Sequence, residues 1–148
     1  MKSSFIEDEF EFIGYACKVC FSNIGQRSGY ICIPNDHPLR FKSEADVDYA
    51  LVCHGGITFL EDKLFGVPAP DGGIWAGFDC THLGDGMDCE SLDEYIKKGL
   101  LDKPYDYFPS KGIIWTLDMV KEQLRRLARQ LEYIKCYDGK LEWKDTDV

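Results

Sequence analysis

The chain has 148 residues, of which 45% are apolar and 29% charged. That is ample for one buried core, and it excludes a mostly disordered chain. Seventeen Lys and Arg against 26 Asp and Glu give a net charge of −9, which argues against non-specific nucleic-acid binding.

The opening segment Met1-Lys2-Ser3-Ser4-Phe5-Ile6-Glu7-Asp8-Glu9 turns acidic at once and carries no apolar signal core. No apolar run reaches the roughly 18 residues that span a bilayer. The expectation is one cytoplasmic domain over 1–148, with its core at about 10–136 and frayed termini. Seven cysteines, an odd number without a secreted-scaffold rhythm, read as reduced thiols.

In chain order, Phe10 to Val19 reads as a first strand and Gly29-Tyr30-Ile31-Cys32-Ile33-Pro34 as a second, ended by Pro34 and Pro38. Asp48 to Cys53 fits a third and Gly56 to Leu60 a fourth, with Gly55-Gly56 as a bend or bulge between them. The turn chemistry of 68–73 precedes a fifth strand over Ile74 to Cys80. Ser91 and Glu94 match a capping box, which opens a short helix over Leu92 to Lys98 stopped by Gly99. Lys103 to Gly112, with two prolines, reads as a loop.

Thr116 then caps a long helix whose Leu117, Val120, Leu124, Leu127, Leu131 and Ile134 fall on one stripe. Strands followed by helices predict an α+β domain, with the long helix covering a mostly antiparallel sheet of about five strands. The stripe also allows a homodimer through this helix as an alternative to a monomer.

The three histidines each follow an apolar run, which places them at strand ends where side chains converge. Asp79, Cys80, Thr81, His82 and Asp85 fall within seven residues. On an extended chain Asp79 and His82 point to opposite faces, so they meet only if the chain turns after Cys80. In that case Asp79 orients a histidine as in common catalytic arrangements; otherwise it caps a turn and His82 is a loop residue. Gly55-Gly56 beside His54 reads either as an anion-binding nest or as a bulge without a ligand.

Cys17 and Cys20 have the spacing of half a zinc site, to be completed by Cys80 and His82 or by Cys89. They also lie in an aromatic strand-like run, where core is the favoured reading, and no cofactor is expected unless zinc binds there. A catalytic metal held by histidines and Asp79 is a less specific alternative. Strand alternation argues against a Cys53–His54 dyad, while Cys80 with His37 or His54 stays open as a nucleophile pair.

At these clusters the chain resembles a family of small proteins of bacteriophage and bacterial genomes. Its members carry Gly-Tyr-Val-x-x-Pro-x-x-His-Pro, His-Gly-Gly-Leu-Thr-Phe and Gly-Phe-Asp-Cys-x-His-x-Gly-Asp elements, then a helix ending in Leu-Ala-x-Gln-Leu. Here these stand as Gly29-Tyr30-Ile31 with Pro34 and His37-Pro38, His54-Gly55-Gly56-Ile57-Thr58-Phe59, Gly77 to Asp85, and Leu127-Ala128-Arg129-Gln130-Leu131. The match spans about residues 25–131. Members often have histidine where this chain has Gln26, and Tyr-Gly where it has Arg40-Phe41. The resemblance implies the place of a site rather than its chemistry, and a phage source implies action on host defence, including nucleotide-signalled defence.

The resulting expectation is a polar pocket with His54, Asp79 and His82 as catalytic groups. His37, Gly55, Gly56, Thr58, Trp75 and Asp85 would bind a small polar ligand, a nucleotide-like signal being the first expectation, which the protein binds or hydrolyses. The alternative is an acidic interaction module that inhibits a host protein through a face including Glu7 to Glu11, with the polar clusters structural.

Overall fold

The computed structural model describes residues 2–104 and 111–137. In chain order the elements are β1 (Ser4–Phe12), β2 (Tyr15–Ser22), β3 (Arg27–Ile33), α1 (Glu44–Ala50), β4 (Phe59–Glu61), β5 (Lys63–Leu64) and β6 (Val67–Pro68). A 3-10 turn (Pro70–Gly72), β7 (Ile74–Asp79), β8 (Asp85–Gly86), α2 (Cys89–Lys97), β9 (Ile113–Ile114) and α3 (Leu117–Tyr137) follow. The fold is α+β. Five strands in the order β1-β2-β3-β7-β4, antiparallel at every pairing, form the main sheet.

Alternation along the strands divides their side chains between two faces. Tyr15, Cys17, Val19, Ile31, Ile33, Ala76, Phe78 and Cys80 form the main core with the buried stripe of α3: Val120, Leu124, Leu127, Ala128, Leu131 and Ile134. On the other face Cys20, Cys32 and Trp75 pack with Leu64 and Ala69. Thr116 caps α3 as its sequence predicts, its Oγ accepting from the Met119 amide at 3.2 Å. The stripe therefore faces this chain's own sheet, so the predicted dimer seam is already covered. Among the described residues, no helix is long and apolar enough to cross a membrane.

Four local expectations need correction. Phe10 to Val19 is not one strand but a hairpin, turned at Ile13 (φ 43°) and Gly14 (φ 89°) between the paired Phe12 and Tyr15. Positive φ at both turn positions matches the twist of the flanking strands. Asp48 to Cys53 is the end of α1 and a loop, because Ser43 caps a helix there by accepting from the Asp46 amide. The N-cap of α2 is Asp88 rather than Ser91: its carboxylate accepts from the Ser91 amide (3.1 Å) and hydroxyl (2.8 Å). The fourth predicted strand starts at Phe59 rather than Gly56, since β4 pairs with β7 only from Phe59↔Gly77 to Glu61↔Trp75. Of the predicted loop Lys103 to Gly112, residues 105–110 lie outside the described residues, as does the chain beyond Tyr137.

The acidic segment Glu7 to Glu11 does not form a free face. The Glu7 side chain is 3% exposed and pairs with Arg27 at 2.7 Å. Asp8 pairs with Lys121 at 2.8 Å and Glu9 with Lys18 at 3.0 Å, leaving Glu11 as the exposed carboxylate without such a pairing in this set. Three of the four charges that the interaction-module reading relied on are thus balanced within the chain.

Candidate functional site

Three segments meet at one end of the main sheet. After Asp79 closes β7, the chain turns and re-enters pairing at β8, which runs parallel to β9 through Asp85↔Ile113 and Gly86↔Ile114. That short ladder brings Trp115, one residue beyond β9, to the Asp85 carboxylate. The loop 51–57 arrives from α1 and is held along α3 by two glutamines. Gln123 Oε1 accepts from the His54 amide at 3.0 Å, and Gln130 bonds both the amide (2.7 Å) and the carbonyl (2.9 Å) of Val52.

Asp85 is the centre of the arrangement. It is buried, and its oxygens accept from His54 Nε2 (2.9 and 3.0 Å), the His82 amide (2.9 Å) and Trp115 Nε1 (3.0 Å). Burial alone pushes its carboxyl up. The hydrogen bonds from His54 and the His82 amide outweigh that and hold it below the ordinary carboxylate value.

The His54 ring lies between Asp85 and Trp115, stacked on the indole with centroids 4.0 Å apart and planes 28° from parallel. A neutral His54 whose Nε2–H donates to Asp85 has its lone pair on Nδ1. The His82 ring meets the His54 ring edge-on at 5.3 Å. Its Nδ1 lies 3.4 Å from Asp85 and its Nε2 lies 3.6 Å from Asp79. The turn that sequence required for an Asp79–His82 encounter is therefore present. The His54, His82 and Asp79 side chains are 24%, 37% and 35% exposed, so the cluster opens to solvent above a buried carboxylate.

The predicted roles redistribute on this geometry. Asp85, expected to bind ligand, is the buried orienting carboxylate, whereas Asp79 lies toward solvent. Asp79 accepts from Thr81 Oγ1 (2.6 Å) and from Thr58 Oγ1 (3.3 Å), which places Thr58 beside the cluster.

His37 does not join the site. Its Nδ1 accepts from the Leu39 amide (3.0 Å), so its Nε2 carries the proton and donates to the Leu131 carbonyl (2.7 Å). Both ring nitrogens are occupied, and burial lowers its pKa, which favours the neutral ring. Trp75 is also elsewhere: it is buried in the opposite-face cluster, four residues before Asp79 on β7.

Gly55 and Gly56 make room for side chains, and the amides of Gly56 and Ile57 are taken up within the chain. The Gly56 amide donates to the Cys53 carbonyl (3.1 Å), and the next amide, of Ile57, donates to Asp48 (2.8 Å). A Cβ on Gly56 would lie 2.7 Å from that Asp48 carboxylate. At Gly55 (φ +72°), a Cβ would collide with the His82 ring at Cε1. Gly55→Ala should therefore turn the His82 ring away from Asp85 and cost about 1–2 kcal/mol in backbone strain. Thermal unfolding and the imidazole proton shifts of His82 would check this; an unmoved His82 resonance would refute it.

The cysteine readings also fail on geometry. Cys17 and Cys20, three apart on β2, point to opposite faces and enter different cores. They cannot share a metal, so a zinc site joining them to Cys80 and His82 does not form. Burial pushes the thiols of Cys17, Cys20, Cys53 and Cys80 up to about 12, leaving little thiolate at neutral pH. All seven cysteines are unbridged.

Among the described residues, the cluster able to hold a metal is His54, His82 and Asp85, which each offer one ligand atom within 4.8 Å of the others. Sequence reasoning missed Trp115 and the helix glutamines. The signal available for Trp115 was its place just before the Thr116 cap, where an apolar residue fixes the angle at which the chain enters a helix.

The depressed Asp85 carboxyl has a consequence for acid stability. A folded-state value below the unfolded one, about 3.9, makes its contribution fully present above that pH. It is lost as pH falls through the folded value. Urea unfolding across pH 2–5 should show wild type losing stability more steeply than Asp85→Asn; parallel profiles would refute it.

No protein-family model matches the chain, and no solved structure matches it. Over 92 residues, 61% of this chain, it is 30% identical to a glycerol kinase of Shewanella sediminis (strain HAW-EB3). The match spans 18% of that relative.

Proposed function

We propose that this chain binds a small polar ligand of the nucleotide-like class at the His54–His82–Asp79 cluster and hydrolyses it. The observation that supports this reading is the convergence of two imidazoles on the buried Asp85 carboxylate, with a second carboxylate at the solvent side. Such a constellation has the parts hydrolysis requires: proton acceptors beside a place for water, and a fixed negative charge that orients them. His54 is positioned on both faces of its function, by Asp85 at Nε2 and by Trp115 against the ring. His82 and Asp79 complete the solvent side, and Thr58 and Thr81 hold Asp79.

The nucleotide-like class rests on the resemblance to phage proteins. The partial likeness to a glycerol kinase does not carry a kinase activity to this chain, which shares a fifth of that protein's length.

The test is turnover of a panel of nucleotides and cyclic nucleotides, read by chromatography, with wild type, His54→Ala, His82→Ala and Asp79→Asn. Loss of one catalytic imidazole should lower the rate by about 10²–10⁴-fold. The folded fraction, followed by circular dichroism, should stay near wild type for His82→Ala and Asp79→Asn, whose side chains are over a third exposed. Rates per folded molecule unchanged by all three substitutions would make the cluster structural and end this reading.

A further inference from the structure

We infer that His54 Nε2, His82 Nδ1 and Asp85 form a three-ligand site for one divalent transition-metal ion, with an open coordination position facing solvent. The inference rests on the hydrolytic reading and names what would organise its water.

The first argument is spacing. Ligands about 2.1 Å from a metal lie about 3.4 Å apart in a tetrahedral set and about 3.0 Å apart at right angles. The Asp85 Oδ2 atom is 2.9 Å from His54 Nε2 and 3.4 Å from His82 Nδ1. Two of the three ligand pairs therefore already stand near coordination spacing, and one ligand atom from each residue lies within 4.8 Å of the others.

The second argument is an unanswered donor–acceptor atom. His82 Nδ1 is shielded from solvent and makes no hydrogen bond among the described residues, despite its nearness to Asp85. A shielded ring nitrogen left with only the long 3.4 Å approach to Asp85 is poorly satisfied. A metal ion between the three groups would satisfy it.

The third is the surrounding shell. Metal-bound histidines commonly donate their other ring N–H to a carboxylate, which fixes the ring and raises its basicity. With Nδ1 as ligand, His82 presents Nε2 to Asp79 at 3.6 Å. The ligating carboxylate is likewise held, by the Trp115 indole and the His82 amide. Two imidazoles and one carboxylate suit zinc, manganese, iron, cobalt or nickel better than calcium or magnesium, which prefer all-oxygen sets. Three protein ligands with partial exposure match catalytic sites, in which the remaining position takes water and lowers its pKa. Loading a neutral His54 at Nε2 requires its proton to move to Nδ1, the other tautomer of the ring.

The full chain, stripped with chelator, is titrated with Zn²⁺ by calorimetry and with Co²⁺ by visible absorption. The expected result is one equivalent of metal and a cobalt spectrum without a thiolate charge-transfer band. His82→Ala should weaken binding at least about 100-fold, and Asp79→Asn about 10–100-fold through the second shell. His54→Ala is the third variant, with unfolding curves recorded alongside because it leaves Asp85 short of one donor. No stoichiometric binding by wild type, affinity unchanged in folded His82→Ala, or a thiolate band would each overturn the site. The two readings separate cleanly. Absence of stoichiometric metal binding with turnover that persists in the stripped protein refutes the metal site and leaves the hydrolase, whereas stoichiometric metal without turnover of any nucleotide refutes the hydrolase and leaves the metal site.

Discussion

Arg27→Ala should lower stability by about 3–5 kcal/mol, the usual loss when one partner of a buried ion network is removed. Arg27 is 4% exposed. Its guanidinium makes a forked pair with Glu7 (Nε to Oε1 2.7 Å, Nη2 to Oε2 2.9 Å). Its Nη1 reaches Asp88 Oδ2 (2.8 Å) and the Trp115 carbonyl (3.0 Å), while Tyr95 donates to Glu7. One side chain of β3 thereby ties β1, the cap of α2 and the entry to α3.

Truncation leaves the Glu7 carboxylate, 3% exposed, without its counter-charge. At roughly 2–4 °C per kcal/mol for a chain of this size, the melting temperature should fall by about 6–20 °C. Arg27→Lys should recover only part of this, because an ammonium lacks the planar fork. Calorimetric melts of the two variants check the claim, and a fall under 2 °C for Arg27→Ala would contradict it. Since Arg27 also holds the Trp115 carbonyl, the same variant should loosen the indole that packs on His54.

The second large effect lies in α3. Leu124 and Leu127 are fully buried between the helix and the sheet, and truncating either to alanine should cost about 2–5 kcal/mol. The cost arises from lost apolar burial and from the cavity left under a helix that is fixed by the rest of its stripe. Urea unfolding should show a lower midpoint at an unchanged slope, as expected when stability changes and the exposed surface does not. A loss under about 0.5 kcal/mol, the size of an ordinary surface change, would mean that the stripe does not pack on this sheet.

The elements legible in the sequence are those whose signal is periodic. Six apolar positions at spacings of three and four fix α3, and the apolar run of β7 with its flanking turns fixes the strand on which Asp79 sits. The Ile13–Gly14 turn was hidden because a β-branched residue rarely takes positive φ, so the run read as continuous. α1 was hidden because only Val47 of its seven residues is buried, too few to show a helical period.

For the site, residue types near strand ends gave His54, Asp79, His82 and Asp85 but not their division of labour. Which carboxylate is buried depends on β8 pairing with β9, twenty-eight residues later in the register Asp85↔Ile113. No local pattern encodes that pairing. His37 and Trp75 shared the same local appearance, and tertiary packing placed them elsewhere.

The two glutamines that hold the His54 loop stand seven residues apart on α3. Residues seven apart lie almost on one line along a helix face; here that line holds a piece of irregular backbone. The geometry makes the loop a passenger of the helix rather than an independent hinge. A single-residue insertion between Gln123 and Gln130 would rotate one of them by about 100° relative to the other. The loop would then lose one of its two attachments. In functional terms the first histidine of the cluster is mounted on the helix, and the second and both carboxylates on the segment that runs from the end of β7 into β8. The distance between the imidazoles is thus a readout of how α3 sits on β3 and β2. Anything that slides the helix by a fraction of a turn would retune the cluster without touching it.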